Sequence, residues 1–170
     1  MASGPAFALS RRSFVVGASL APAALLGGRL LWADAADGLA NSPLVYLTPL
    51  KTDGEESRCK AEIWFAYDGS DIFVVTQPDA WRARAVDQGL TRARIWVGDF
   101  GVWTQSDGAF RQAPELMATA SIEGGADVHA QILEIMGEKY ADTGWARFGE
   151  PFRTGLADGS RVMIRYTFDG

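Results

Sequence analysis

Residues 44–98 read LVYLTPLKTDGEESRCKAEIWFAYDGSDIFVVTQPDAWRARAVDQGLTRARIWVG. Leu44–Leu50 is a short apolar run punctuated by Pro43 and Pro49, which predicts a β-strand, and Lys51-Thr52-Asp53-Gly54 carries turn chemistry. From Ser57 to Tyr67 the residues alternate. Cys59, Ala61, Ile63, Phe65 and Tyr67 take one face, and Arg58, Lys60, Glu62 and Trp64 take the other. Asp68-Gly69 is a strong hairpin signal, and the apolar strand Ile72–Thr76 follows it. Pro78 opens a short helix that runs to about Asp87 and stops at Gly89. Arg92–Val97 alternates again, with Ala93, Ile95 and Val97 on one face.

The pattern continues downstream. Val102–Gln105, the turn Ser106-Asp107-Gly108 and Ala109–Ala113 predict a second hairpin, and Glu115–Ile122 a weaker strand. Asp127 is a candidate cap for a helix to about Tyr140, with Val128, Ile132, Ile135 and Met136 at helical spacing. Residues 144–160 carry no regular period, and Arg161–Phe168 forms the last strand. The expected fold is mainly β with two helices, of the α+β class. Its core is a small six- to seven-stranded antiparallel Greek-key β-barrel, because closing such a sheet removes its exposed edges.

The first 35 residues read as an address. Ser10-Arg11-Arg12-Ser13-Phe14-Val15-Val16 matches the twin-arginine export pattern. The apolar stretch Phe14–Leu26 is too short for a membrane span, which takes about 20 apolar residues. Ala33-Asp34-Ala35 supplies the small-x-small pattern of a cleavage site. The expected organisation is therefore a cleaved signal over 1–35 and one domain over 36–170. The mature protein would be periplasmic or otherwise exported, without a stable membrane span, and the twin-arginine translocase would be a partner. That route carries folded proteins and is commonly used when a cofactor is inserted beforehand.

Charge and residue inventory narrow the chemistry. The whole chain carries a formal charge of -5, and three arginines against one aspartate in 1–35 leave -7 on the remainder. So acidic a domain argues against nucleic acid as a partner, which requires a dense basic surface. The single cysteine, Cys59, cannot form an internal disulfide. With His129 the only histidine, neither a metal site nor a Ser-His-Asp arrangement is indicated. There is no phosphate-binding glycine motif, and no spacing singles out a carboxylate pair. The informative cluster is cationic. Arg58 and Lys60 share a strand face. Thr76, Trp81, Arg82 and Arg84 surround the first helix, and Arg92 and Arg94 lie on the next strand. A guanidinium fork with a hydroxyl and helix-terminal N–H groups is what a phosphate needs. Arg111 lies on the second hairpin, apart from this cluster.

In order and motif, residues 44–98 resemble the pyridoxamine 5'-phosphate oxidase-like split-barrel superfamily. The resemblance rests on Leu47-Thr48, the Trp64-Phe65 strand end, the Asp68-Gly69 turn, the FVVT strand ending at Thr76 and the basic helix after it. It implies a homodimer that binds FMN at the subunit interface, with deazaflavin F420 or haem as the alternative cofactors. It implies an FMN- or F420-dependent oxidoreductase acting on a small-molecule substrate, or a non-catalytic haem, tetrapyrrole or other ligand carrier. Carried over by position, Thr76 and Arg82 would meet the cofactor phosphate, with Trp81 and Arg84 beside them. Arg58, Lys60 and Ala61 would lie along the isoalloxazine. Glu62 stands where many relatives have proline, and Arg82 where they often have lysine. The surplus of aromatic residues, six Trp among them, is a further reason to expect an interface.

Export should depend on the arginine pair. Changing Arg11 and Arg12 together to lysine is expected to retain the protein in the cytoplasm, as read by cell fractionation. Undiminished export of the double variant would contradict the signal assignment.

Overall fold

The computed structural model describes residues 35–169, so the segment expected to be an export signal, and most of its expected cleavage site, lie outside the described residues. A helix over 35–41 (α1) leads into β1, Val45–Pro49. Then come β2 (Ala61–Ile63), β3 (Ala66–Tyr67), β4 (Asp71–Thr76), α2 (Trp81–Asp87) and β5 (Arg92–Val97). A 3-10 turn over Ala109–Gln112 precedes β6 (Glu115–Glu123), α3 (Ala126–Lys139), α4 (Trp145–Asp158) and β7 (Val162–Phe168). The seven strands form one sheet in the order β2-β1-β5-β6-β7-β4-β3, and every neighbouring pair is antiparallel.

The end strands of that order explain the shape. β2 and β3 lie at opposite edges of the sheet, yet only Trp64-Phe65 separates them in the chain. The sheet must therefore curl until its edges meet at this one segment. The alternating run over 57–67, expected as a single strand, is instead a bridge. Its first half pairs with β1 (Leu47 opposite Ala61) and its second half with β4 (Ala66 opposite Phe73).

Strand alternation sorts the side chains into distinct cores. Val45, Leu47, Phe65, Ile72, Val74, Ile95, Leu116, Ile164 and Tyr166 fill the barrel, joined by Ala35 and Leu39 of α1 and Ala83 of α2. Phe73, Val75 and Met163 point to the other face and pack under Ile132, Leu133, Met136 and Tyr140. β4 is thus buried on both faces, which is why it reads as a continuous apolar run. Tyr46, Trp96 and Phe110 form a third, smaller cluster with Trp103 against it. These outer clusters absorb Trp64, Trp96, Trp103 and Trp145 within one chain, so the aromatic surplus does not require a partner subunit.

Three expectations are corrected. Residues 144–160 are not irregular but form α4, bounded by Gly144 and Gly159, both at positive φ. Its internal glycines serve packing. A Cβ on Gly155 would lie 2.3 Å from Arg161 Cγ, so only glycine lets α4 approach the start of β7 this closely. Residues 102–113 are not a hairpin. Left-handed Gly101, Asp107 and Gly108 coil the segment. The Tyr46 hydroxyl pins its start by donating to the Gly101 carbonyl (2.6 Å) and accepting from the Phe100 N–H (2.7 Å). Asp127 does not cap α3; it lies in the first turn after Gly125, where a negative charge still suits the helix dipole.

The bridge at Trp64-Phe65 leaves the ladder, so the backbone of fully buried Phe65 needs other partners. The Tyr140 hydroxyl provides them. It accepts from the Phe65 N–H at 2.9 Å, and its proton is shared between the carbonyls of Phe65 (3.0 Å) and Pro43 (2.9 Å). Trp64 stacks on the Tyr140 ring at 4.4 Å and 6°. Tyr140→Phe keeps the stack but orphans these groups, and should cost about 1–3 kcal/mol in chemical denaturation. A variant as stable as wild type would show that the hydroxyl does not hold the closure.

Candidate functional site

Thr76 ends β4 on the inward-facing row of Ile72 and Val74, and it is buried. Six residues on, Arg82 in α2 turns back and donates from Nη1 to the Thr76 hydroxyl at 2.8 Å. Arg82 Nε is also buried and has no hydrogen-bond partner among the described residues. Arg94 and Arg165 share that feature, but carboxylates hold both: Glu56 and Glu115 for Arg94, Asp71 and Glu123 for Arg165. Arg82 forms no ion pair among the described residues. A buried guanidinium nitrogen without an acceptor is a donor for an anion, and the Thr76 hydroxyl beside it is a second one. Tyr166, wholly buried in the barrel, feels the Arg82 charge. Burial raises its phenol far enough that it stays neutral.

The remaining expected residues divide. Trp81 and Arg84 sit on α2, with the exposed Arg84 guanidinium 5.7 Å from the centre of the Trp81 ring. Ala61 lies in β2 opposite Leu47, on the face that lines the barrel. Arg58 is exposed. Lys60 is drawn elsewhere, 2.9 Å from Glu56. The helix contributes less than expected. It starts at Trp81 rather than near Pro78, and the N–H groups of Ala80, Ala83 and Arg84 bond to the Gln77 and Ala80 carbonyls. The anion-binding capacity therefore rests on the side chains. Glu62 turns to the outer face, where it accepts from the Trp103 N–H at 3.2 Å. There it lines an apolar cavity of about 340 Å³ with Trp64, Val75, Phe148 and Phe152.

A second charged group was not legible in the sequence. Glu56, its side chain only 15% exposed, receives Arg111 through two hydrogen bonds (2.7 and 2.6 Å), Arg94 at 3.1 Å and Lys60 at 2.9 Å. Arg111 is therefore not remote from the cationic cluster but part of its counter-ion network. Lys60 is only four residues away, but Arg94 and Arg111 come from positions 38 and 55 residues along the chain, so no local spacing could announce them. His129 sits in the first turns of α3, with Nε2 2.7 Å from the Glu123 carbonyl.

No known family profile matches the chain, and no curated protein matches its sequence. Solved structures do match in fold. HutZ, the haem storage protein of Vibrio cholerae, superposes with a TM-score of 0.54 at 20% identity, covering 82% of this chain and 91% of HutZ. Rv2991 of Mycobacterium tuberculosis gives 0.55 at 16% identity, over 81% of this chain and 80% of that one. A candidate pyridoxamine 5'-phosphate oxidase from Listeria innocua gives 0.51 at 14% identity, over 85% and 94%. The chain has the split-barrel fold of the pyridoxamine 5'-phosphate oxidase-like proteins.

The Glu56 network makes an acid-sensitive contribution to stability. Hydrogen bonds from Arg111 first, and from Lys60, hold the Glu56 carboxyl down from its ordinary 4.5 to about 2. A depressed acid stabilises the fold above its unfolded pKa and ceases to do so as the pH falls through its folded one. Glu56→Gln should lower the melting temperature at pH 7, and its deficit against wild type should shrink between about pH 4.5 and 2. A deficit that does not change with pH would detach the effect from the ionised carboxylate. Arg111→Ala should likewise be destabilising rather than neutral.

Proposed function

We propose that this protein is an exported flavin-binding split barrel, an FMN- or F420-dependent oxidoreductase acting on a small molecule as a homodimer. The observation that carries the reading is the Arg82–Thr76 pair. It joins a buried, unpaired guanidinium nitrogen and a buried hydroxyl, 2.8 Å from its neighbouring donor, at the end of a barrel strand. That donor set fits a phosphate. Arg82 offers a charged fork, Thr76 a neutral hydroxyl, and neither is neutralised by a carboxylate among the described residues. Exposed Arg84, on the same helix as Arg82, adds further positive charge.

Bound flavin would supply the hydride or electron transfer. The chain's part is then to bind and orient it, consistent with the lack of an acid/base triad. Lys60, held by Glu56, is assigned to the framework rather than to the ligand. The structural likeness to a haem storage protein does not move the assignment toward haem. His129, the only histidine, already has its Nε2 against a backbone carbonyl.

Titration of the mature chain with FMN tests the reading. Hydrogen bonds to charged groups contribute roughly 1.5–3 kcal/mol, so Arg82→Ala should weaken FMN binding by roughly one to two orders of magnitude. Thr76→Val should weaken it about fivefold, having lost one neutral donor. Because Arg82 is partly buried and bonded to Thr76, its removal should also lower stability slightly, so affinity is compared under conditions where both proteins are fully folded. Equal affinity of wild type and Arg82→Ala would remove the phosphate assignment. Binding of haem but not FMN by wild type would replace the flavin reading with a carrier.

A further inference from the structure

Lys139 is the last residue of α3, and its environment differs from that of the other two lysines of the chain. Lys51 lies 3.2 Å from both Asp53 and Glu55, and Lys60 lies 2.9 Å from Glu56. Lys139 has no ion pair among the described residues. Its ammonium instead sits 3.4 Å from the centre of the fully buried Phe65 ring, 5.7 Å from that of Tyr140, and donates at 3.4 Å to the Leu39 carbonyl. The same side chain lines a cavity of about 310 Å³ between α1, β3 and α3, with Leu39, Ala40, Tyr67, Ile135 and Glu138. Half-burial without a counter-ion disfavours the ammonium, and the Phe65 ring face and the Leu39 carbonyl offset only part of that cost, so the amine at this cavity is available as a nucleophile.

We propose that Lys139 is a carbonyl-capture site, whose ε-amine condenses with a small aliphatic aldehyde held in this cavity to form an imine. The amine nitrogen attacks the carbonyl carbon, and the C=O π bond opens as the C–N bond forms. A proton passes from nitrogen to oxygen, and the carbinolamine loses water to give C=N. No oxidant or reductant enters. Glu138 lines the same cavity and is assigned the proton transfer. The choice of aldehyde over acyl donor follows from the Phe65 ring. A protonated imine keeps a positive charge over the ring face, whereas an amide would forfeit that attraction.

Burial lowers the Lys139 amine to about 8. At neutral pH about a tenth of it is then free base, against roughly one part in 2,500 for an ordinary lysine. The groups facing it leave this balance in place. From β3 comes Tyr67, whose hydroxyl is bonded to the Gly69 carbonyl. From α1 come a carbonyl and apolar side chains. From the end of α3 come Glu138 and Tyr140, the latter raised to about 12 by burial and therefore neutral.

The test is reductive alkylation of the full chain with butanal and cyanoborohydride, followed by peptide mapping. At pH 7, Lys139 should be alkylated at least roughly tenfold faster than Lys51 and Lys60, with a half-maximal pH near 8 and a rate that saturates with butanal. Unfolding in urea should erase the preference. Ala40→Trp, at an exposed position on the cavity, should slow Lys139 alone. Equal rates at the three lysines in the folded chain, a rate linear in butanal, or indifference of Lys139 to Ala40→Trp would each overturn the proposal.

Discussion

Closure of this barrel depends on one hydroxyl. Antiparallel ladders satisfy backbone groups only where two strands run side by side, and at Trp64-Phe65 the chain passes from one edge of the sheet to the other. There Phe65 is buried with its N–H and carbonyl outside any ladder, and an orphaned buried amide is too costly for a marginally stable domain. Tyr140 meets both groups from the end of α3 and tethers Pro43 as well. The helical layer is thus required by the barrel rather than added to it. α3 must reach the closing segment, and α4 must pack against α3 to bury Trp145 and Phe152.

Two consequences follow for chemistry. Tying the closure to the end of α3 brings Lys139, the neighbour of Tyr140, over the Phe65 ring. Phe65, whose backbone Tyr140 holds at the closure, therefore also forms the floor under this amine. At the end of β4, burial on both faces leaves Thr76 as the terminal polar residue of an apolar strand, and Arg82 folds back onto it. In both places a cation is held by neutral partners. Elsewhere, at Glu56 and around Arg165, the cations are matched by carboxylates. That contrast separates candidate chemistry from framework more sharply than the number of basic residues does.

Local pattern determined a good deal of this protein. An apolar run between prolines located β1, alternation located β5 and β7, the Asp68-Gly69 turn fixed the β3–β4 hairpin through the Asp68 carboxylate, which accepts from the Ser70 and Asp71 N–H groups, and helical spacing located α3. These features depend on neighbours a few residues apart, which the chain order itself supplies. The Thr76–Arg82 contact, spanning six residues, belongs to the same class.

What the tertiary structure alone decided are features whose partners are remote. α4 looks irregular because its glycines and Pro151 argue against a helix locally, and only packing on the second core overrides them. The split of the 57–67 run into two strands follows from closure, since alternation continues unchanged across Trp64-Phe65. Arg94 and Arg111 read as free cations until Glu56 is placed between them. Lys139 reads as an ordinary helix-terminal lysine until Phe65, 74 positions earlier, is placed beneath it. Sequence determined where charge and apolar surface lie along the chain. Which charges are neutralised, and which are left against carbon, was decided only by the fold, because Coulomb energy and desolvation depend on distances in space.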